Sequence, residues 1–338
     1  MRLRFGLAVL AMMAIASCNT LTPAPVTHAA GYQTMRIKDA NERPVALDIW
    51  FPSKGAEAEY NYGISKGSVA SPATIAGDRL PLVLLSHGAM GAAVNYSWIA
   101  EVLARHGYVV VGVSHFGESP AFGQASVSPM NVSHFGDRTR DFNVALAYVL
   151  AQPELASHID ADRIGLLGHS SGGSTVMMLA GGKFSLGDIG AYCRTEGAKG
   201  DKSCAYPTVG ASDPKQAPVV LSRPVRAVVA LDPALGMGFS AMSLSAVSAK
   251  VLVIGAKQND FLHFDTHAGR FMTLLPKAET VTLDKGEGHF VFVDSCNVPV
   301  MALGVPLCTD RPGVNRDEVH QTLSADIVAF FDRTLKGQ

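Results

Sequence analysis

Five nearly continuous apolar runs, at residues 82–85, 108–113, 164–167, 225–231 and 251–254, constrain the fold of this chain more than any other feature. A strand with one wet face alternates apolar and polar residues, whereas a strand covered on both faces does not. Such runs therefore predict a parallel sheet sandwiched between helices. Helical segments fall between or after the runs. Residues 98–105 stop at Gly107, residues 137–151 stop before Pro153, and residues 317–335 carry apolar positions at helical spacing. Ahead of them, residues 33–38 and 45–51 alternate around Asp39, Ala40, Asn41 and Glu42, as an antiparallel entry hairpin does. The alternation predicts one doubly wound α/β domain, with a mostly parallel central sheet and helices on both faces.

Between the run at 164–167 and the small residues Gly173, Ser174 and Thr175 lies Gly168-His169-Ser170-Ser171-Gly172. G-x-S-x-G can arise by chance in a chain with 33 glycines. Its position between a strand and a helix start favours a sharp turn that lifts the Ser170 hydroxyl above the sheet edge. Glycine on either side removes the β-carbons that would collide there. Ser170 is the candidate nucleophile.

A serine nucleophile needs a base, a carboxylate to orient the base, and donors for the developing oxyanion. His289 follows the strand-like residues 279–283 in a glycine-rich loop and suits the base. Two aspartates compete for the acid: Asp260 after the run at 251–254, and Asp232 after the run at 225–231. Asp260 is the preferred acid and Asp232 the alternative. Both also have an ordinary reading, Asp232 as a turn cap before Pro233 and Asn259-Asp260 as a turn dipeptide. The oxyanion donors are assigned to the backbone N–H groups of Ser171 and of Ala89, in the turn Ser86-His87-Gly88-Ala89-Met90-Gly91.

From about Pro81 onward the chain resembles the bacterial "predicted dienelactone hydrolase" group, itself similar to platelet-activating-factor acetylhydrolases and to cutinase-like polyester hydrolases. Ser86-His87-Gly88, Gly168 to Gly173, Ala230-Leu231-Asp232, Gln258-Asn259-Asp260-Phe261 and Gly288-His289-Phe290 carry the likeness. The resemblance implies an α/β-hydrolase fold and cleavage of carboxylic esters, short-acyl or lipid-like, through an acyl-enzyme without a cofactor or metal. It also implies two places for the acid: acetylhydrolases use the position matching Asp232, cutinase-like enzymes that matching Asp260. Dienelactone hydrolases proper use a cysteine nucleophile, and position 170 is serine, so the group's label does not transfer as an activity. A serine peptidase or amidase on the same fold, or a silent hydrolase-fold binding lipoprotein, are the competing readings.

The amino terminus places Arg2 and Arg4 before an apolar stretch and then small residues, the order of a signal peptide over residues 1–17. Ile15-Ala16-Ser17-Cys18 resembles a lipoprotein box, which makes Cys18 an acylated first residue and residues 18–31 a tether to a domain spanning 32–338. A bacterial, periplasm-facing, membrane-anchored protein is expected, or a secreted one if Cys18 is unmodified. Cys193, Cys204, Cys296 and Cys308 remain in an oxidising compartment, and pairing 193 with 204 and 296 with 308 closes two short loops. C-x-x-C and H-E-x-x-H spacings are absent, which argues against a metal site. A formal charge of -1, with no basic run among aromatics, argues against nucleic acid. Two long loop insertions, 116–136 and 181–223, break the alternation; the second reads as a lid or as a tolerated surface insertion. Oligomeric state has no signal in the sequence.

Overall fold

The structure, a computed structural model, describes residues 26–206, 214–296 and 298–338. The expected signal peptide and Cys18 lie outside the described residues. Eight strands form one sheet: β1 (Ala29–Lys38), β2 (Pro44–Ser53), β3 (Leu80–Ser86), β4 (Val109–His115), β5 (Ile159–His169), β6 (Ala227–Leu231), β7 (Lys250–Ala256) and β8 (Glu279–Leu283). Their order across the sheet is β1-β2-β4-β3-β5-β6-β7-β8. The β1–β2 and β2–β4 pairs are antiparallel and every later pair is parallel. The entry hairpin closes at Lys38 opposite Pro44, around the expected turn. Two short ribbons, Ala58–Asn61 with Lys66–Val69 and Met301–Ala302 with Val305–Pro306, have no counterpart in the sequence reading. Two to four residues are too few to show a period of two.

The apolar runs are continuous because each strand serves two cores. Leu82 and Leu84 of β3 pack with Phe142 and Val149 of α2 (Phe135–Ala151) and with Val176 of α3 (Ser171–Leu179). Val83 and Leu85 point the other way, onto Ile99 and Leu103 of α1 (Ser97–Arg105). Leu323 and Ile327 of the C-terminal helix at Arg316–Phe331 complete that second core. Fully burying one such side chain contributes roughly 1.5–3 kcal/mol. Helices thus cover both faces, and polar chemistry is left to the loops at the carboxyl ends of the parallel strands, where open α/β sheets place their sites.

Candidate active site

Ser170 follows the last residue of β5 and is the N-cap residue of α3, with φ 56° and ψ -122°. A left-handed φ is costly for a serine and persists only where the surroundings impose it. The surroundings are crowded backbone. A β-carbon on Gly168 would run into Gly172, and one on Gly172 into the carbonyl of Ser86. The Ser170 N–H is held by the carbonyl of Leu231 at the end of β6 (3.0 Å). Seven non-glycine residues have positive φ among those described, and four of them, Met90, Ser170, Asp232 and Leu235, belong to the loops that meet here.

The Ser170 hydroxyl donates to Nε2 of His289 (2.9 Å), and Nδ1–H of His289 donates to Oδ2 of Asp232 (2.6 Å). All three residues are buried, the histidine and aspartate to 1% exposure. Burial favours the neutral imidazole, pushing His289 down to about 3, and pushes Asp232 up to about 6. The short hydrogen bond between them opposes both displacements by stabilising the charged pair. Phe261 stacks on the imidazole, with ring centroids 5.1 Å apart and planes 8° from parallel, which fixes the plane in which the ring meets Ser170.

The expectation that Asp260 orients the imidazole is corrected by this geometry. Asp232 is the first residue after β6, the strand next to β5, so its carboxylate lies under the histidine. It also accepts the Ala256 N–H (3.1 Å) and the side-chain amide of Asn259. Asp260 lies one strand farther out and is turned to the backbone: Oδ1 accepts the N–H of His289 (3.0 Å), and Oδ2 lies 3.8 Å from Arg311. Both aspartates therefore serve the same histidine, one its ring and one its main chain. The Asn259 side chain also makes the local turn, accepting from the N–H groups of Phe261 and Leu262 (both 2.8 Å).

Ala89 and Ser171 line the same cleft as Ser170. The Ala89 loop is braced by a buried pair that sequence reasoning missed. Arg138 of α2, 1% exposed, donates through Nε to Glu118 (2.9 Å) and through its guanidinium to the His87 carbonyl (2.9 Å). Glu118 in turn accepts the Met90 N–H (3.3 Å). On the other side the Gly88 N–H donates to the Tyr96 hydroxyl (2.9 Å). That hydroxyl is 2.9 Å from Nδ1 of His169, whose Nε2–H donates to the His289 carbonyl (3.0 Å). His169, the variable second residue of the motif, thus ties the base loop to the Ala89 loop. Its place inside the motif was a signal; Arg138 and Tyr96, on distant helices, gave none.

Apolar side chains form most of the cleft wall. Phe135, Leu186, Ile189, Leu235, Phe261 and Leu262 contribute to a space of about 450 Å³ that is open to solvent. Leu186 and Ile189 sit on α4 (Leu186–Tyr192), inside the insertion at 181–223, so that segment borders the site. The expected disulfides are present, Cys193–Cys204 within this insertion and Cys296–Cys308 beyond the base. Among the described residues, no three His, Cys, Asp or Glu side chains are grouped to hold a metal ion.

Sheet order, a strained serine between β5 and α3, and a histidine after β8 define an α/β-hydrolase fold. A ferulic acid esterase from Streptomyces cinnamoneus superposes with a TM-score of 0.56 at 20% identity, over 93% of each chain, which carries the fold. The family model for platelet-activating factor acetylhydrolase, isoform II, matches residues 53–126, the stretch holding β3, the Ala89 loop and β4. Cutinase est1 of Thermobifida alba is 29% identical over 100 residues, 29% of this chain and 29% of that enzyme. Platelet-activating factor acetylhydrolase of Canis lupus familiaris is 27% identical over 190 residues, 38% of this chain and 42% of that protein. The matches thus span less than half the length of these two relatives.

Proposed function

We propose that this protein is a serine hydrolase of carboxylic esters, working through an acyl-enzyme with Ser170 as nucleophile, His289 as base and Asp232 as the acid that orients it. One observation carries the reading: the unbroken hydrogen-bonded line from Ser170 through both nitrogens of His289 to Asp232. The activities for which the matched cutinase and acetylhydrolase are named agree with ester chemistry. His289 takes the Ser170 proton as Oγ attacks the ester carbonyl. The oxyanion then accepts from the Ala89 and Ser171 N–H groups, the second at the start of α3, where the helix dipole favours negative charge. Collapse transfers the proton from His289 to the departing alcohol. Water repeats the sequence on the acyl-enzyme, returning Ser170 and a carboxylic acid.

A fluorophosphonate label and p-nitrophenyl acetate test this directly. Wild type is expected to label and to turn over, and Ser170→Ala to lose both, with kcat down about 10⁶-fold. Equal labelling of the two proteins would sink the enzyme reading and favour a silent binding lipoprotein.

The cell-envelope reading rests on the sequence alone: cleavage before Cys18, acylation there, and a tethered domain facing the periplasm. No helix among the described residues is long and apolar enough to cross a membrane. Mass spectrometry of the mature amino terminus is expected to find a diacylglyceryl-modified Cys18; an unmodified start overturns it.

A further inference from the structure

The insertion between α3 and β6 carries a carboxylate that an exposed loop would have no reason to bury. Asp201 has no exposed side-chain surface, and burial without partners would be costly. Every acceptor position is used. Oδ1 takes the Ser203 N–H (3.0 Å) and hydroxyl (2.7 Å), while Oδ2 takes the Tyr192 hydroxyl (2.9 Å) and Nε2–H of His267 (2.7 Å). Tyr192 and Ser203 belong to the insertion, but His267 belongs to the core, between β7 and α5 (Ala268–Leu274). Nδ1 of His267 accepts the Leu235 N–H (2.7 Å), so the proton is on Nε2 and points at Asp201.

Leu235 connects this pair to the reaction centre. It holds a left-handed φ of 58° and lines the cleft. Its neighbour Ala234 donates its N–H to the carbonyl of Ser170 (3.0 Å). A second tie runs from the Lys202 N–H to the carbonyl of Phe261 (2.9 Å), the residue stacked on His289. The Cys193–Cys204 bridge closes the loop that carries Asp201, and Tyr192 immediately precedes it. Ser203 and Tyr206 then line the cleft with Leu186 and Ile189.

We propose that Asp201 and His267 form a latch that holds the segment 186–206, stapled by the Cys193–Cys204 bridge, as a wall of the cleft, and that this wall determines the size of the acyl group the enzyme accepts. The inference rests on the ester-hydrolase reading. The acyl group is the part of the substrate concerned because it stays bonded to Ser170, which lines the same cleft as this wall. A latched wall favours short acyl groups; releasing it lengthens the chain that fits. Asp201 and His267 are positioning residues, touching no reacting atom.

The test is a series of p-nitrophenyl esters from acetate to octanoate, measured on wild type, Asp201→Asn, and the pair Cys193→Ser/Cys204→Ser, with Cys296→Ser/Cys308→Ser as control. The readout is the octanoate-to-acetate ratio of kcat/KM within each preparation, which does not depend on the fraction of protein that folds. Wild type is expected to favour acetate. Asp201→Asn and the 193/204 pair are expected to raise the ratio about tenfold, the range a poorly accommodated alkyl extension commands, and the control to leave it unchanged. A ratio within about twofold of wild type in both loop variants overturns the latch, as does a wild type indifferent to chain length. Absence of any hydrolysis by wild type would instead overturn the ester-hydrolase reading and the inference with it.

Discussion

The ends of β6 and β7 each deliver an aspartate to His289, yet the two carboxylates do different work. Asp232 is buried, has its backbone pinned by the Ile254 carbonyl (2.6 Å), and meets the imidazole at Nδ1. Asp260 is 29% exposed on its side chain, shares its charge with Arg311, and meets only the histidine's main chain. A carboxylate on the ring fixes the tautomer and stabilises the imidazolium; a carboxylate on the backbone fixes where the loop sits. Sequence proximity to a strand end is therefore not enough to set a carboxylate's role. Which strand end adjoins β5, the strand that leads into Ser170, decides which part of His289 the carboxylate meets.

The largest expected effect separates the two residues outright. Asp232→Asn should cost about 10⁴-fold in kcat, because the amide presents the wrong partner to Nδ1 and upsets the tautomer. Asp260→Asn should retain most activity on the same ester. Steady-state kinetics on both variants checks the pair, and a dead Asp260→Asn beside an active Asp232→Asn would reverse the assignment.

A middle effect belongs to the brace on the Ala89 loop. Arg138→Met removes the donors to the His87 carbonyl and leaves Glu118 buried without its partner. Loosening one oxyanion donor typically lowers kcat by about 10²-fold, and the loss should fall on kcat more than on KM. A variant that keeps kcat but raises KM would show that the brace shapes binding instead.

A smaller effect concerns pH. Activity needs neutral His289, so kcat/KM should rise with pH as the imidazolium loses its proton. The negative charge of Asp260 favours the imidazolium, while burial and nearby His267 disfavour it. Asp260→Asn should therefore move the acid limb of the profile to lower pH. A limb that stays in place, or moves up, would show that Asp260 has no electrostatic hold on the base.

The smallest effect on turnover is expected from Cys296→Ser/Cys308→Ser. That bridge lies beyond the base, where Arg316 also holds the Val293 (3.4 Å) and Asp294 (3.2 Å) carbonyls. Closing a loop of this length stabilises by roughly 3 kcal/mol in the chain-entropy view. Tm should drop by about 5 °C or more with kcat nearly unchanged, and calorimetry with and without reductant checks it.

Much of the fold was legible because strand burial writes itself into composition. The runs at 82–85 and 251–254, short and apolar without alternation, read as strands covered twice, and Gly168, Ser170 and Gly172 encode a local collision problem that glycine alone resolves. His289 was legible for the same local reason, a glycine-rich loop after β8. Arg138, Tyr96, Asp201 and His267 were not. Arg138 reaches the His87 carbonyl, Tyr96 reaches His169, and His267 reaches Leu235 and Asp201 across sequence separations of 32 to 73 residues, and nothing near them in the chain marks these encounters.

By itself, then, the sequence determined the parallel sheet, the serine on its strained turn and the histidine in the loop after β8, and it favoured both cysteine pairs, because each depends on patterning or spacing within a short stretch. Only the tertiary structure decided between Asp232 and Asp260, and only it brought the 181–206 segment onto the cleft. Those outcomes depend on which strand lies beside β5 and on which buried charge finds a partner, and both are properties of three-dimensional adjacency that no local pattern records.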